Sequence, residues 1–371
     1  MSYKSFSDKT IYFYCISPES VHNAAYHHLA ICIAEGLKEL GIKFYSNINY
    51  WRLSLSDDEF LFQHDPNVGP DDCSVVVVSM QWFARQQPFP HHLFKRSRTY
   101  STVYLDREDG LETMSWQPDF KKFDFILKTH YSQKHSYPFN AYPWAFGITN
   151  RITREAARAT LDFGDRDAKI LLNFRDKRNP HTVRRNVYRN FGPKFSNSFA
   201  VDRTIDTLNT PPPGELEHLF WFQTGKRHNP NYYNRLGQSQ ACACFGGYFV
   251  SPWPRDKGNR LSFLQERIIA KLNLTTRFIS QWDSWRLWES FASECVTFHL
   301  DFERYGLTLP VMPENWKHYV GVDLQRPEEA IEKFVERIES LGEIGRSGKE
   351  WAYKHYSPVP TAKRFLELTC A

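Results

Sequence analysis

The opening of the chain constrains the fold most. Residues 10–16 (TIYFYCI) form a short apolar run that reads as a buried strand. Ser17, Pro18, Glu19 and Ser20 supply a turn with capping residues. From about residue 23 to 40, Ala25, Leu29, Ile33, Leu37 and Leu40 recur at helical spacing. Gly41 stops that helix, and residues 42–46 (IKFYS) start a second strand. A strand, a helix and a strand joined in this way predict a parallel sheet with a right-handed crossover.

Further short apolar runs at 73–79, 101–105 and 124–128 extend the pattern. Ligands of such sheets bind beyond the carboxyl ends of the strands, which makes 17–28, 106–110 and 128–131 candidates for one wall of a cleft. A second strand–helix pattern opens at 168–174, followed by a basic stretch with Arg175, Lys177, Arg178, His181, Arg184 and Arg185. Strand candidates follow at 241–245, near 276–279, at 295–298 and at 319–323. A helix is expected from Pro327 to about residue 341, with Glu328 and Glu329 favourable in its first turn, and one or two more helices close the chain. At 371 residues the chain is too long for one ordinary core. The expectation is an α/β protein of two doubly wound, Rossmann-like domains facing across a cleft. Residues 1–155 form the first and 156–355 the second, and 356–371 form a helix that can return to the first domain.

Composition excludes several classes. Aromatics make up 16% of the chain, which argues against disorder. The net charge of +5 is mild and contains no long basic run, so nucleic acid is not an expected partner, while anionic small molecules or peripheral contact with a membrane surface fit. Seven cysteines at irregular spacing read as reduced, mostly buried thiols, and Cys242-Ala243-Cys244 is too tight for a zinc knuckle. Adjacent pairs such as His27-His28 and His91-His92 point in different directions and do not share an ion. No Walker loop, G-x-G-x-x-G fingerprint or G-x-S-x-G elbow is present. Residues 1–6 carry no signal-peptide core and no apolar run approaches membrane-spanning length, so a cytoplasmic location is expected.

The segment 283–296 (DSWRLWESFASECV) carries the most chemistry. Arg286 and Glu289 stand three apart, on one face of a helix that Ser284 can cap. A cation for phosphate and a carboxylate for sugar hydroxyls, at a helix start, suit a nucleotide-sugar pocket. The competing role is an ion pair along the helix surface, worth under about 0.5 kcal/mol.

With these pieces in order, the second half resembles the nucleotide-sugar-binding domain of GT-B glycosyltransferases, nearest the exostosin-like group. The resemblance covers roughly 165–340. It runs through Tyr232-Tyr233-Asn234-Arg235-Leu236, Ser239, Phe245-Gly246-Gly247, then Asp283, Ser284, Arg286 and Glu289, then residues 293–298. Glu294 stands where the family usually has Gly, and Thr297 where it often has Pro. Gln281 stands eight residues before Glu289, where many retaining members carry a second glutamate, so inversion is the expectation.

The resemblance implies donor contacts for Arg175, Lys177, Ser239, Ser284, Arg286 and Glu289: Glu289 on the ribose, Arg286 on the diphosphate, and Arg175 and Lys177 against the leaving phosphate. The first domain would supply the base, for which Asp106, Asp109, His22 and His27 are candidates. No metal or cofactor is required, because helix dipoles and basic side chains neutralise the diphosphate. The expected partners are a nucleoside diphosphate sugar and a hydroxyl of a glycan or related acceptor. A fucosyltransferase-type enzyme using a GDP-sugar and a non-catalytic sugar or nucleotide binder remain open alternatives.

Overall fold

The computed structural model describes residues 6–108, 118–174, 183–196, 199–204, 209–249, 268 and 279–370. Its strands are β1 (Thr10–Tyr14), β2 (Lys43–Ser46), a hairpin of β3 (Tyr50–Arg52) and β4 (Phe60–Phe62), then β5 (Val75–Ser79), β6 (Ser101–Asp106), β7 (Phe125–Lys128) and β8 (Ala141–Pro143). The second half carries β9 (Asp167–Leu171), β10 (Ala200–Asp202), β11 (Ser239–Ala243), a two-stranded ribbon of β12 (Tyr248–Phe249) and β13 (Ile279–Ser280), then β14 (Val296–Leu300) and β15 (Val320–Val322). The longer helices are α1 (His28–Glu39), α2 (Asn150–Ala159), α3 (Glu215–Gln223), α4 (Pro230–Gly237), α5 (Trp285–Ala292), α6 (Pro327–Glu336), α7 (Leu341–Tyr356) and α8 (Pro358–Thr369).

Two parallel sheets result, in the order β2-β1-β5-β6-β7-β8 and β10-β9-β11-β14-β15. In each, the chain leaves a central strand to one side and then crosses to the other. The strand order therefore reverses between β1 and β5 and again between β9 and β11, and these switch points are where such sheets take ligands. The doubly wound, two-domain architecture expected from the sequence is present.

The first sheet is buried on both faces. Phe13, Val75, Val77 and Leu105 point into a core shared with the second half, while Tyr12, Val76, Tyr104 and Ile126 fill a separate cluster on the opposite face. The β-branched run Val75 to Val78 suits a central strand covered on both sides. Helix α1 starts later than its apolar spacing suggests. Ala25 takes a left-handed φ of 45°, so Tyr26 and His27 stay outside the helix, and His27 meets the N–H of Ile16 just past β1. Gly41, at φ 70°, ends the following turn.

Helix α8 packs along α1. A Cβ on Gly36 would collide with the carbonyl of Pro358 and lie 2.7 Å from Ala362 Cβ, so only glycine permits this approach. Other bonds bridge the halves: Arg52 and Gln223 exchange two hydrogen bonds, at 2.7 and 3.1 Å, and Trp282 Nε1 donates to the carbonyl of Tyr131 at 3.2 Å.

Candidate functional site

Helix α5 stands with its N-terminal turn at the carboxyl end of the second sheet. Cys244, just past β11, lies 3.3 Å through its Sγ from the carbonyl of Arg286. Asp283 anchors this turn. Its Oδ1 accepts from Trp288 Nε1 at 2.8 Å, its Oδ2 accepts from the backbone N–H of Phe146 at 3.0 Å, and its own N–H donates to His130 Nδ1 at 3.0 Å. Burial pushes the Asp283 carboxyl up to about 6, against the opposing pull of His130 and these hydrogen bonds. Ser284 occupies the N-cap position but its side chain makes no capping bond. The cap expected of Ser284 is thus not formed; the Leu287 N–H instead donates to the Ser284 carbonyl at 3.1 Å, and the Ser284 hydroxyl is left uncommitted.

Arg286 and Glu289 lie on this helix as expected, but no ion pair joins them among the described residues. The Arg286 guanidinium stands 5.9 Å from the ring centre of Tyr232, and its buried Nε has no hydrogen-bond partner; neither does the Tyr232 hydroxyl. Glu289 is 6% exposed, and its Oε1 accepts from the Tyr233 hydroxyl at 3.0 Å. Burial pushes the Glu289 carboxyl up, while the charges of Arg151 and Arg286 pull it down. A carboxylate and a guanidinium one turn apart, both largely withdrawn from water and both keeping unsatisfied atoms, suit a polar ligand that supplies hydroxyls to one and an anion to the other.

The first half closes over this turn. The indole of Trp285 lies among Tyr26, His28 and Phe146. Two guanidiniums flank the same indole: Arg107, just past β6, at 5.7 Å from the ring centre, and Arg227 at 4.9 Å. Arg107, Arg227 and Trp285 were not singled out in the sequence. Arg107 sits inside Asp106-Arg107-Glu108-Asp109, among carboxylates.

The remaining sequence candidates separate. Ser239 opens β11 at the end opposite to Cys244, roughly 16 Å away along the strand, and its Oγ donates to the Arg235 carbonyl at 2.8 Å. The structure does not bring Ser239 to Arg286. Asp106 is fully buried at the end of β6; its Oδ1 accepts from the N–H of Glu108 at 2.9 Å and lies 3.3 Å from Lys128 Nζ. His22 is exposed on the loop after β1. His27 accepts from the N–H of Ile16 through Nε2 at 3.2 Å and meets Ser79 Oγ through Nδ1 at 2.6 Å. Because Nε2 must accept, the proton sits on Nδ1 and is donated to Ser79. Burial and the Arg107 charge hold His27 down to about 3, so it is neutral, with its lone pair occupied. Asp109, Arg175 and Lys177 lie outside the described residues. Among the described residues no three His, Cys, Asp or Glu side chains converge to hold a metal ion, the seven cysteines are free thiols, and no helix is long and apolar enough to cross a membrane.

Neither a protein-family model nor a curated protein matches this sequence. Solved structures do match. An alpha-glucosyltransferase in complex with UDP and a 13-mer DNA containing a central A:G mismatch aligns over 98% of this chain and 100% of its own, with a TM-score of 0.54 at 8% identity. An alpha-glucosyltransferase in complex with UDP aligns over the same shares, with a TM-score of 0.52 at 8% identity. At such identity the likeness speaks to architecture: the chain has the two-domain, Rossmann-like GT-B fold on which those glycosyltransferases are built.

Proposed function

We propose that this protein is a glycosyltransferase of the exostosin-like kind that moves a sugar from a nucleoside diphosphate donor to a hydroxyl of a glycan or related acceptor. The observation that carries this reading is the uncapped N-terminal turn of α5, with Arg286 and Glu289 presented together at the carboxyl end of the second sheet. Glu289 accepts hydrogen bonds from the donor ribose. Arg286 and the Ser284 hydroxyl take the diphosphate, with Arg175 and Lys177 on the leaving phosphate. Their positive potential neutralises charge as the bond between anomeric carbon and phosphate oxygen breaks, so no metal is invoked. The acceptor oxygen forms the new bond, and a base of the first domain takes its proton. Among the base candidates, Asp106 and His27 are committed to Lys128, Glu108, Ile16 and Ser79, which leaves Asp109 and His22.

Inversion is retained as the expectation because Gln281 replaces the second glutamate; NMR of the product's anomeric proton decides it. One α-glucosyltransferase of similar fold was solved with DNA, so duplex DNA joins the acceptor panel although the mild net charge favours a glycan. The test is incubation with UDP- and GDP-sugars, with and without acceptors, reading released nucleotide. Acceptor-stimulated release of one nucleotide supports the reading. Binding of a nucleotide without any release, across the whole panel, would replace it with a non-catalytic binder.

A further inference from the structure

The polar group that fixes Glu289 comes from outside the donor-site helix. Tyr233 on α4 donates its hydroxyl hydrogen to Glu289 Oε1 at 3.0 Å. That hydroxyl also receives a hydrogen bond, from Arg151 Nη1 at 3.4 Å. A hydroxyl whose lone pair is taken by a guanidinium has its own hydrogen turned toward its remaining neighbour, here the carboxylate. Arg151 is itself held. The same Nη1 donates to His228 Nδ1 at 3.3 Å, and Arg151 sits in the first turn of α2, where the neighbouring Asn150 N–H donates to Glu35 Oε2 on α1 at 2.8 Å. His228, fully buried, is held down in pKa by burial and by the Arg151 charge, and so stays a neutral acceptor. Glu289 Oε2 makes no hydrogen bond among the described residues.

Resting on the donor-site reading above, we infer that Arg151 is a positioning residue: through Tyr233 it turns the Glu289 carboxylate so that Oε2 faces the donor ribose. Arg151 does not touch the donor. It lies on the helix that follows the first sheet and is tied to α1, so the first domain's own packing sets the geometry of a group in the second.

The experiment measures affinity for UDP and GDP by calorimetry in the wild type, Glu289→Ala, Tyr233→Phe, Arg151→Met and the Tyr233→Phe/Arg151→Met double variant, each checked for a cooperative melt. Tyr233→Phe removes only the hydroxyl and is the variant least able to disturb folding. The expected result is a loss of roughly tenfold in affinity for Tyr233→Phe and for Arg151→Met, and of roughly 10- to 100-fold for Glu289→Ala, with the double variant no weaker than the worse of its two components, because both act on one path. In turnover the loss appears in the donor KM with kcat held within about twofold. If Glu289→Ala loses affinity while folded Tyr233→Phe and Arg151→Met keep that of the wild type, the positioning role is overturned and the donor site stands. If Glu289→Ala also binds as the wild type does, both are overturned together.

Discussion

Asp283 accepts a hydrogen bond from the backbone N–H of Phe146 at 3.0 Å, and so ties the helix that bears Arg286 and Glu289 to the first domain. The same carboxyl, just before α5, satisfies Trp288 Nε1 on that helix. One side chain thus fixes both the start of α5 and its place against the opposite half of the molecule.

Asp283→Ala leaves two buried donors, the Phe146 N–H and Trp288 Nε1, without acceptors. At about 1–3 kcal/mol for each orphaned group, the loss of stability is about 2–6 kcal/mol. Denaturant unfolding measures it, and a change below about 1 kcal/mol would show that Asp283 is not an anchor.

Glu35 is buried on α1, and burial raises its carboxyl to about 8 from 4.5, against the Asn150 hydrogen bond and the Arg151 charge. The folded state therefore holds the proton more tightly than the unfolded state. That contribution is whole below the unfolded value of 4.5 and is lost as pH rises through the folded value of about 8. Wild-type stability should fall relative to Glu35→Gln between about pH 5 and pH 8, with a slope approaching 1.4 kcal/mol per pH unit. Parallel stability curves for the two proteins would contradict this.

Gly36→Ala drives a methyl into the carbonyl of Pro358, backbone that cannot step aside. Destabilisation of about 2–4 kcal/mol is expected, with α8 the first element to lose protection in hydrogen exchange. Unchanged protection of 358–369 would show that the last helix is not held by this contact.

Much of the fold was legible because its central strands are apolar runs, such as Val75 to Val78, that need no partner to be recognised. The edge strands β8 and β10 were not. Ala141-Tyr142-Pro143 and Ala200-Val201-Asp202 are only partly buried or exposed and carry no apolar run, so nothing local marks them. Helix α2 hid for a different reason. Arg151, Arg154, Glu155 and Arg158 make the segment polar, yet Arg151 and Glu155 are buried beside Ile152 and Ala156. A charged pair four apart on an apolar face was the available signal, but the partners that bury Arg151, Tyr233 and His228, are distant in sequence.

The site was legible in part. Helical spacing brought Arg286 and Glu289 to one surface. Order along the chain drew in Ser239 as well, but order does not say which end of a strand a residue occupies. The flanking arginines, Arg107 and Arg227, belong to loops whose meeting at Trp285 exists only in the folded molecule.

The central claim, that Glu289 grips the donor nucleotide, is tested most directly by calorimetric titration of wild type and Glu289→Ala with UDP and with GDP. Loss of a charge-assisted hydrogen bond corresponds to about 1.5–3 kcal/mol. The account predicts that one nucleotide binds the wild type and that its Kd rises by roughly 10- to 100-fold in the variant, with a cooperative melt retained. Equal affinity for that nucleotide in the folded variant would contradict it.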